Sequence, residues 1–531
     1  MPAATDPLPR SNLAGNAMTG AESLLATAAA AGVELCFANP GTTEMPLVLA
    51  LDRTPGLRAV LGLHESVVTG AADGYARIAG KPALTVLHLG PGLGNGIANL
   101  HNARRARTPL VNLIGEHATW HQDANAPLAA DIEALAGAVS GWLRRSASAE
   151  AMAGDMAGAL EAAMTGNGRV ASLILAHDLQ LAETASTARA SLERQRIAVP
   201  AERVEAAAKT LRAGGRSLLL LGYQAMTEAG LKAAARVAAA SGAALMTERS
   251  VAVAERGAGL PAPRAIPYFP EQAAEALAGF ETVVFAGAEE PVAFFGWPGQ
   301  RSRNLPDDVR RIALAGPDDD ILGALEALAE ALDAPAYQAP PAPARPAPPQ
   351  GPLTTDALCR AIAALQPEGA ILVNEAITSG WSYHGHSAGA PRFTQLALTG
   401  GAIGFGPSCA TGAAVAAPGR TVINFQADGS AAYTLPAFWT QARESLDVVT
   451  VICANREYRI LLTELQRAGI NQPGPKAQDL ADLARPAIGW CDIARGFGIP
   501  AETADSADSL VAALGRALAS PGPALIEALV E

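Results

Sequence analysis

Short apolar runs rich in β-branched residues alternate along most of the chain with alanine-rich stretches long enough to form helices. No other feature limits the fold as strongly. The runs include "ALTVLHLG", "LVNLIGEH", "SLLLLGY", "ETVVFAGA", "RRIALAG", "AILVNEA", "TVINFQAD" and "VVTVICAN". Each is about as long as a strand, apolar at consecutive positions and bounded by turn residues, the pattern of strands covered by helices on both faces. Repeated alternation of this kind predicts an α/β chain built on doubly wound parallel sheets. With 531 residues, the chain exceeds what one hydrophobic core serves.

One composition break divides it. "APAYQAPPAPARPAPPQGP", residues 334 to 352, is too rich in proline for a helix or an interior strand and is expected to run extended over the surface. A softer break, "ARASLERQRIAVP", spans residues 188 to 200. The expected organisation is a disordered start (1–14), an N-terminal domain (15–190), a central domain (195–335), the linker (336–352) and a C-terminal domain (353–531).

The formal net charge of -12 argues against a nucleic-acid partner, which would need a concentrated basic surface. The local cluster Arg104, Arg105 and Arg107 reads as a solvated helix end. No apolar run is long enough to cross a bilayer and the start of the chain lacks the regions of a signal peptide, so a cytoplasmic location without a membrane partner is expected. Five scattered cysteines without CxxC spacing read as reduced, buried thiols.

Two stretches carry candidate chemistry. In "VLGLHESVVTGAADGYAR", residues 60 to 77, a helical reading places Glu65 on one face with Val68, Ala72, Tyr75 and Ala76, while Ser66, Asp73 and Arg77 fall elsewhere. A carboxylate on a buried face needs a reason. In "VINFQADGSAAYTLPAFWTQARESLDVVTVICANREY", Asp428 and Asn455 each lie just past the carboxyl end of a predicted parallel strand, the edge at which open α/β sheets bind ligands. One carboxylate, one amide oxygen and the backbone carbonyl of Glu457 suit a hard cation such as Mg²⁺, completed by water and phosphate. Gly429 permits close backbone approach and Ser430 can donate to a phosphate at the helix start. Spacing alone leaves an ordinary Asp-Gly turn equally open.

The paired motif "ADGS…AN" resembles the thiamine diphosphate signature of the superfamily that includes acetolactate synthase, pyruvate oxidase and benzoylformate decarboxylase. Ala427 and Ala454 replace a usual glycine and asparagine, and neither change removes a metal-ligating group. "LTGGAIGFGPSCATGAAVA" resembles the segment that grips the middle of the cofactor, which implies a carbonyl contact from Gly401 and an apolar wedge at Ile403. "LVNEAITSG" resembles the diphosphate-side loop, with Asn374 and Thr378 as contacts, and Tyr458 joins the implied cofactor set. "CFANPGTTEMPLVLAL" and the Glu65 segment resemble the pyrimidine-binding domain of the acetolactate synthase and benzoylformate decarboxylase branch.

By this resemblance the chain is a thiamine diphosphate and Mg²⁺ dependent enzyme. It would decarboxylate a 2-oxo acid, with or without carboligation to a second carbonyl compound. Glu65 would share a proton with the cofactor's aminopyrimidine ring, a task that needs a carboxylate in a dry pocket. Thr42 and His88 would orient the substrate and relay protons. His64 reads as packing, and His384 and His386 are left unassigned. The cofactor would lie between domains of different subunits, making a homodimer obligatory and a homotetramer expected.

Departures narrow the branch. Phe294 and Phe295 stand near the place of a second catalytic histidine in benzoylformate decarboxylase, Glu116 replaces a usual glutamine, and the segment after Asn455 lacks the tryptophan with which acetolactate synthases take their second oxo acid. The central domain lacks the arginine-flanked run of FAD-binding members, so FAD is not expected. A simple decarboxylase of benzoylformate decarboxylase type and a non-catalytic paralogue are the alternatives. A nicotinamide site at "LGPGLGNGIANL" is disfavoured, because its spacing is GxGxG and no acidic residue ends a second strand at the required distance.

Overall fold

A computed structural model describes residues 18–339, 341 and 343–530. The start read as disordered, 1–14, lies outside the described residues. All eight quoted runs form strands. The first sheet contains β1 (Leu35–Asn39), β2 (Arg58–Leu61), β3 (Ala83–Leu87), β4 (Leu110–Glu116), β5 (Trp142–Arg145) and β6 (Val170–Ala176), in spatial order β2-β1-β3-β4-β6-β5 and parallel throughout.

The next strands are β7 (Ser217–Leu221), β8 (Ala244–Thr247), β9 (Val253–Arg256), β10 (Arg264–Ala265), β11 (Thr282–Ala286) and β12 (Arg310–Ala315). Five of them make a parallel sheet ordered β10-β8-β7-β11-β12. The last group is β13 (Ala370–Glu375), β14 (Phe393–Ala397), β15 (Val422–Ala427), β16 (Val448–Cys453), β17 (Ala501–Ala504) and β18 (Ala524–Ala528). The third sheet is ordered β9-β14-β13-β15-β16-β18-β17.

The third sheet departs from the purely parallel expectation at one edge. Strand β9 comes from the central block and pairs antiparallel with β14. Its Arg256 explains the placement, donating to Gln395 Oε1 at 2.7 Å and to the His384 carbonyl at 2.9 Å. An antiparallel strand closing the edge of a parallel sheet is a common solution. Residues 334–352 carry no regular structure and are mostly exposed where described, as their composition predicts. Hydrogen bonds from Tyr337 to Gly259 O (2.8 Å) and from Arg345 to Gln366 O (2.9 Å) hold the linker against the folded body. The five cysteines are buried and unpaired.

Three helices position the site: α1 (Glu65–Ala79), α2 (Leu89–Ala106) and α3 (Phe405–Ala416). Helix α1 corrects the single-face reading, because it is buried on all sides as far as Arg77. Asp73 and Arg77 enter the core as an ion pair at 2.7 Å, and the Thr108 hydroxyl donates to Asp73 at 2.5 Å, so the charges are compensated. His64 is also corrected: its side chain caps α1, accepting from Ser66 N at 3.1 Å.

Helices α1 and α3 run antiparallel in backbone contact. Arg77 lies 4.7 Å from the Phe405 ring centroid, Gly74 lies against Cys409, and Gly412 lies against Ala71. A Cβ on Gly74 would overlap the Cys409 carbonyl, and one on Gly412 would overlap the Ala71 carbonyl. Neither obstacle is the end of a flexible side chain, so the helices would have to part. Gly74→Ala is expected to cost about 1–3 kcal/mol, the usual penalty for overpacking, read as a lower midpoint in denaturant unfolding.

Candidate active site

The first half-site lies at the carboxyl edge of the first sheet. Glu65 opens α1 and is 8% exposed. Its Oε2 accepts from Asn95 Nδ2 at 3.0 Å, and Gly92 lets the carboxylate approach α2, since a Cβ there would stand 3.0 Å from Glu65 Oε1. Gly90, Gly92 and Gly96 of "LGPGLGNG" are thus close-packing positions within the first turns of a helix, while Gly94 faces open space.

His88 ends β3 and precedes α2. Its Nδ1 lies 2.8 Å from Glu44 Oε2. The buried carboxylate accepts that proton, which assigns Nδ1–H to the neutral ring and leaves Nε2 as the acceptor. Glu44 is fully buried and also accepts from Gly41 N (2.8 Å) and Thr43 Oγ1 (2.5 Å). Thr42 is exposed in the chain, and the threonine that reaches towards His88 is Thr43, 3.4 Å from Nδ1. Glu44 ends the quoted "NPGTTE" and was the residue to notice there, an acid directly before an apolar helix.

The second half-site lies at the carboxyl edge of the third sheet. Asp428 follows β15 and Asn455 follows β16, adjacent strands, so the two meet as their spacing predicts. Asp428 is oriented by two backbone donors, Gly429 N and Arg456 N, both at 2.7 Å. Burial raises its pKa, a penalty that a bound cation would relieve. Asn455 Oδ1 accepts from Glu457 N at 3.2 Å. Gly429 lies under the Tyr458 ring, where any Cβ would overlap it, and the Tyr458 hydroxyl is 3.4 Å from Gly429 O. Ser430 is buried in the helical turn Asp428–Ala431.

No cluster of three or more His, Cys, Asp or Glu side chains suited to a metal occurs among the described residues. The oxygen donors present, one carboxylate with an amide and a backbone carbonyl, fit Mg²⁺ sharing its shell with water and phosphate. Asn374 and Thr378 are half-buried beside this corner, with Asn374 Oδ1 accepting from Ala376 N at 3.2 Å. Gly401 adopts φ +76°, and Ile403 is half-buried two residues before α3.

Sequence reasoning missed Glu375 at the end of β13. It is almost fully buried and accepts from Gly404 N (2.9 Å), Phe405 N (3.3 Å), Gly406 N (2.7 Å) and Gln426 Nε2 (2.7 Å). Burial outweighs these donors and pushes its pKa up to about 7. An acid at the end of an apolar run, in "AILVNEA", was its only signal.

Among the described residues no hydrogen bond or ion pair joins the Glu65 side chain to the Asp428 corner or to the Gly401 loop. In the antiparallel crossing, Arg77 at the far end of α1 stands beside Phe405 and donates to Ala397 O at 2.8 Å, next to the Gly401 loop. Glu65 lies twelve residues back along α1, about 18 Å from Arg77 at the helical rise. A cavity of about 500 Å³ opens elsewhere, where the three sheets approach one another, and its lining includes Arg104, Arg105, Arg107, Tyr223, Phe294 and Thr399 but neither Glu65 nor Asp428. The basic cluster is therefore more than a solvated end: Arg107 pairs with Asp318 (3.2 Å) and Glu289 (3.3 Å), while Arg104 and Arg105 stay exposed. No helix among the described residues is long and apolar enough to cross a membrane.

Residues 18–135 match the model for the N-terminal thiamine pyrophosphate (TPP) binding domain of thiamine pyrophosphate enzymes, and residues 378–528 match that for their C-terminal TPP binding domain. The chain belongs to the thiamine pyrophosphate enzyme family. Within this family it is 48% identical to a Mycobacterium tuberculosis protein named as a candidate acetolactate synthase large subunit, over 97% of this chain and 99% of that one. It is 30% identical to a benzoylformate decarboxylase of Pseudomonas aeruginosa over 93% and 96% of the two chains. The solved thiamine diphosphate-dependent 4-hydroxybenzoylformate decarboxylase of Rhodococcus jostii RHA1 shares the fold, with a TM-score of 0.83 and 24% identity over 97% and 99% of the chains.

The anchoring of the start of α3 by a buried acid is testable through stability. The raised pKa of Glu375 means that the folded state keeps a proton which the unfolded chain releases above its ordinary value of 4.5. Its contribution is complete below that pH and is lost as pH rises through about 7. Glu375→Gln is therefore expected to abolish a component of the melting temperature that falls across this window, measured by calorimetric melting at stepped pH.

Proposed function

We propose that this member of the family is a thiamine diphosphate and Mg²⁺ dependent enzyme that decarboxylates a 2-oxo acid and can join the product to a second carbonyl compound. The retention of both half-sites, Glu65 with Asn95 at one sheet edge and Asp428 with Asn455 at another, carries this reading. Asp428, Asn455 and the Glu457 carbonyl would hold the metal. Gly429, Ser430, Asn374, Thr378 and Tyr458 would surround the diphosphate, with Gly401 and Ile403 at the cofactor's middle. When bound, thiamine diphosphate supplies the carbon nucleophile and the electron sink for loss of carbon dioxide.

The chain's residues control protons and access. Asn95 holds one oxygen of Glu65 and leaves the other to share a proton with the cofactor ring. His88, backed by Glu44, can pass a proton through Nε2 and supports release of a simple aldehyde. Phe294 supports the other outcome. Its ring edge lies 3.1 Å from where a Cβ on Gly401 would stand and packs with Tyr268 and Phe295 at centroid distances of 5.3 and 5.2 Å, a largely apolar wall in which neither phenylalanine offers a proton. Such a wall also suits an apolar substrate side chain, which places arylglyoxylates first in a substrate panel.

Because the Glu65 side chain makes no hydrogen bond to the Gly401 loop of its own chain among the described residues, the proposed site takes Glu65 from a second copy. The working assembly is at least a homodimer, with a tetramer of two such dimers as the full form. A panel of 2-oxo acids, with aldehyde and hydroxyketone products separated by chromatography, tests the reaction. Glu65→Gln is expected to lower turnover by about 10²- to 10⁴-fold while calorimetry still detects Mg²⁺-dependent binding of thiamine diphosphate. Full turnover in that variant contradicts the assignment. Asp428→Asn should instead weaken the binding itself.

A further inference from the structure

We infer that Asn102, on helix α2 of the N-terminal domain, is a positioning residue that sets the direction of the Gly401 carbonyl and the place of Ile403 in the same chain. The inference rests on the cofactor role proposed for that loop. Asn102 is fully buried, and its amide grips both backbone groups of one residue: Nδ2 donates to Ala402 O at 2.8 Å, and Oδ1 accepts from Ala402 N at 3.2 Å. Asn99 Oδ1 accepts a second Nδ2 proton at 3.0 Å and fixes which end of the amide is the donor.

Peptide geometry turns this grip into a direction. The Ala402 N–H and the Gly401 C=O belong to one planar trans peptide and point to opposite sides. Holding the N–H on Asn102 therefore turns the Gly401 oxygen away from α2, to the side where an aminopyrimidine amine would donate. The Ala402 C=O belongs to the next peptide plane, which leads into Ile403, so its hydrogen bond sets where the wedge begins.

Surrounding contacts hold the same loop. Thr399 Oγ1 donates to Asn102 O at 2.8 Å, His101 Nε2 lies 3.2 Å from Gly400 O, and Glu375 binds the three amides that follow Ile403. Gly400 must remain side-chain free for the loop to seat, since its Cβ would stand 2.6 Å from Asn102 Oδ1 and 2.7 Å from His101 Cδ2. An asparagine is specifically required at position 102: aspartate keeps the acceptor but, when ionised, offers Ala402 O no donor, and alanine offers neither.

Titration calorimetry with thiamine diphosphate in Mg²⁺, run alongside melting of the cofactor-free proteins, tests the inference. Asn102→Ala is expected to weaken cofactor binding at least tenfold. Asn102→Asp should approach wild-type affinity at low pH, where the protonated carboxyl can donate, and fall further below it as pH rises; Glu375 titrates on the same loop in both proteins, so the gap measured at each pH isolates position 102, and a merely structural role would not make that gap depend on pH. Gly400→Ala attacks the contact from the loop side and should weaken binding in the same direction even if Asn102→Ala does not fold. Wild-type affinity in Asn102→Asp at every pH and in Gly400→Ala overturns the inference. Wild-type protein that binds no thiamine diphosphate overturns the cofactor reading beneath it instead.

Discussion

Two helices from opposite ends of the chain cross at backbone contact, and the placement of the chemistry follows from that crossing. Gly74 and Gly412 remove the side chains that would keep α1 and α3 apart, so the helices seat at a distance no larger residue allows. At one end of α1 sits Glu65. At the other, Arg77 binds Asp73 inside the core, stacks on Phe405 and reaches Ala397 O. Van der Waals contact along the crossing and a compensated ion pair at its end thus fix the N-terminal domain to the Gly401 loop.

Buried acids recur at the carboxyl edges of the sheets, each solved by a different set of donors. Glu65 has the amide of Asn95; Glu44 has a backbone N–H, a hydroxyl and an imidazole; Glu375 has three backbone amides and Gln426. An uncompensated carboxylate in these places would cost several kcal/mol. The best-compensated acids serve to orient other groups, His88 in one case and the start of α3 in the other. Glu65 has a single side-chain donor, the arrangement expected of a carboxylate that must exchange a proton.

The strands of the eight apolar runs, the sheet type and the meeting of Asp428 with Asn455 were legible in the sequence, because apolar runs and turn residues act over a few positions and parallel crossovers bring successive strand ends together. The antiparallel β9 was not, since its pairing depends on contacts made by Arg256 with residues more than a hundred positions away. Helix α1 was misread as one-sided because helical spacing cannot reveal a second domain packed on its polar positions. Which of Thr42, Thr43 and Glu44 faces His88 was not legible for a similar reason: the orientation of a short turn decides it. Asn102 carries no local signal, and Glu375 only that of an acid ending an apolar run, because each acts on backbone groups supplied by a distant segment.

Each proposed active site joins Glu65 of one chain to the Asp428 corner of another. Co-expressing a Glu65→Gln chain with an Asp428→Asn chain, each inactive alone, and assaying the purified mixed assembly tests this most directly. Random pairing should restore activity to about one quarter of the wild-type value, because half of the dimers are mixed and each mixed dimer contains one intact site. A mixed assembly as inactive as its parents would contradict the claim and place Glu65 and Asp428 in the service of a single chain.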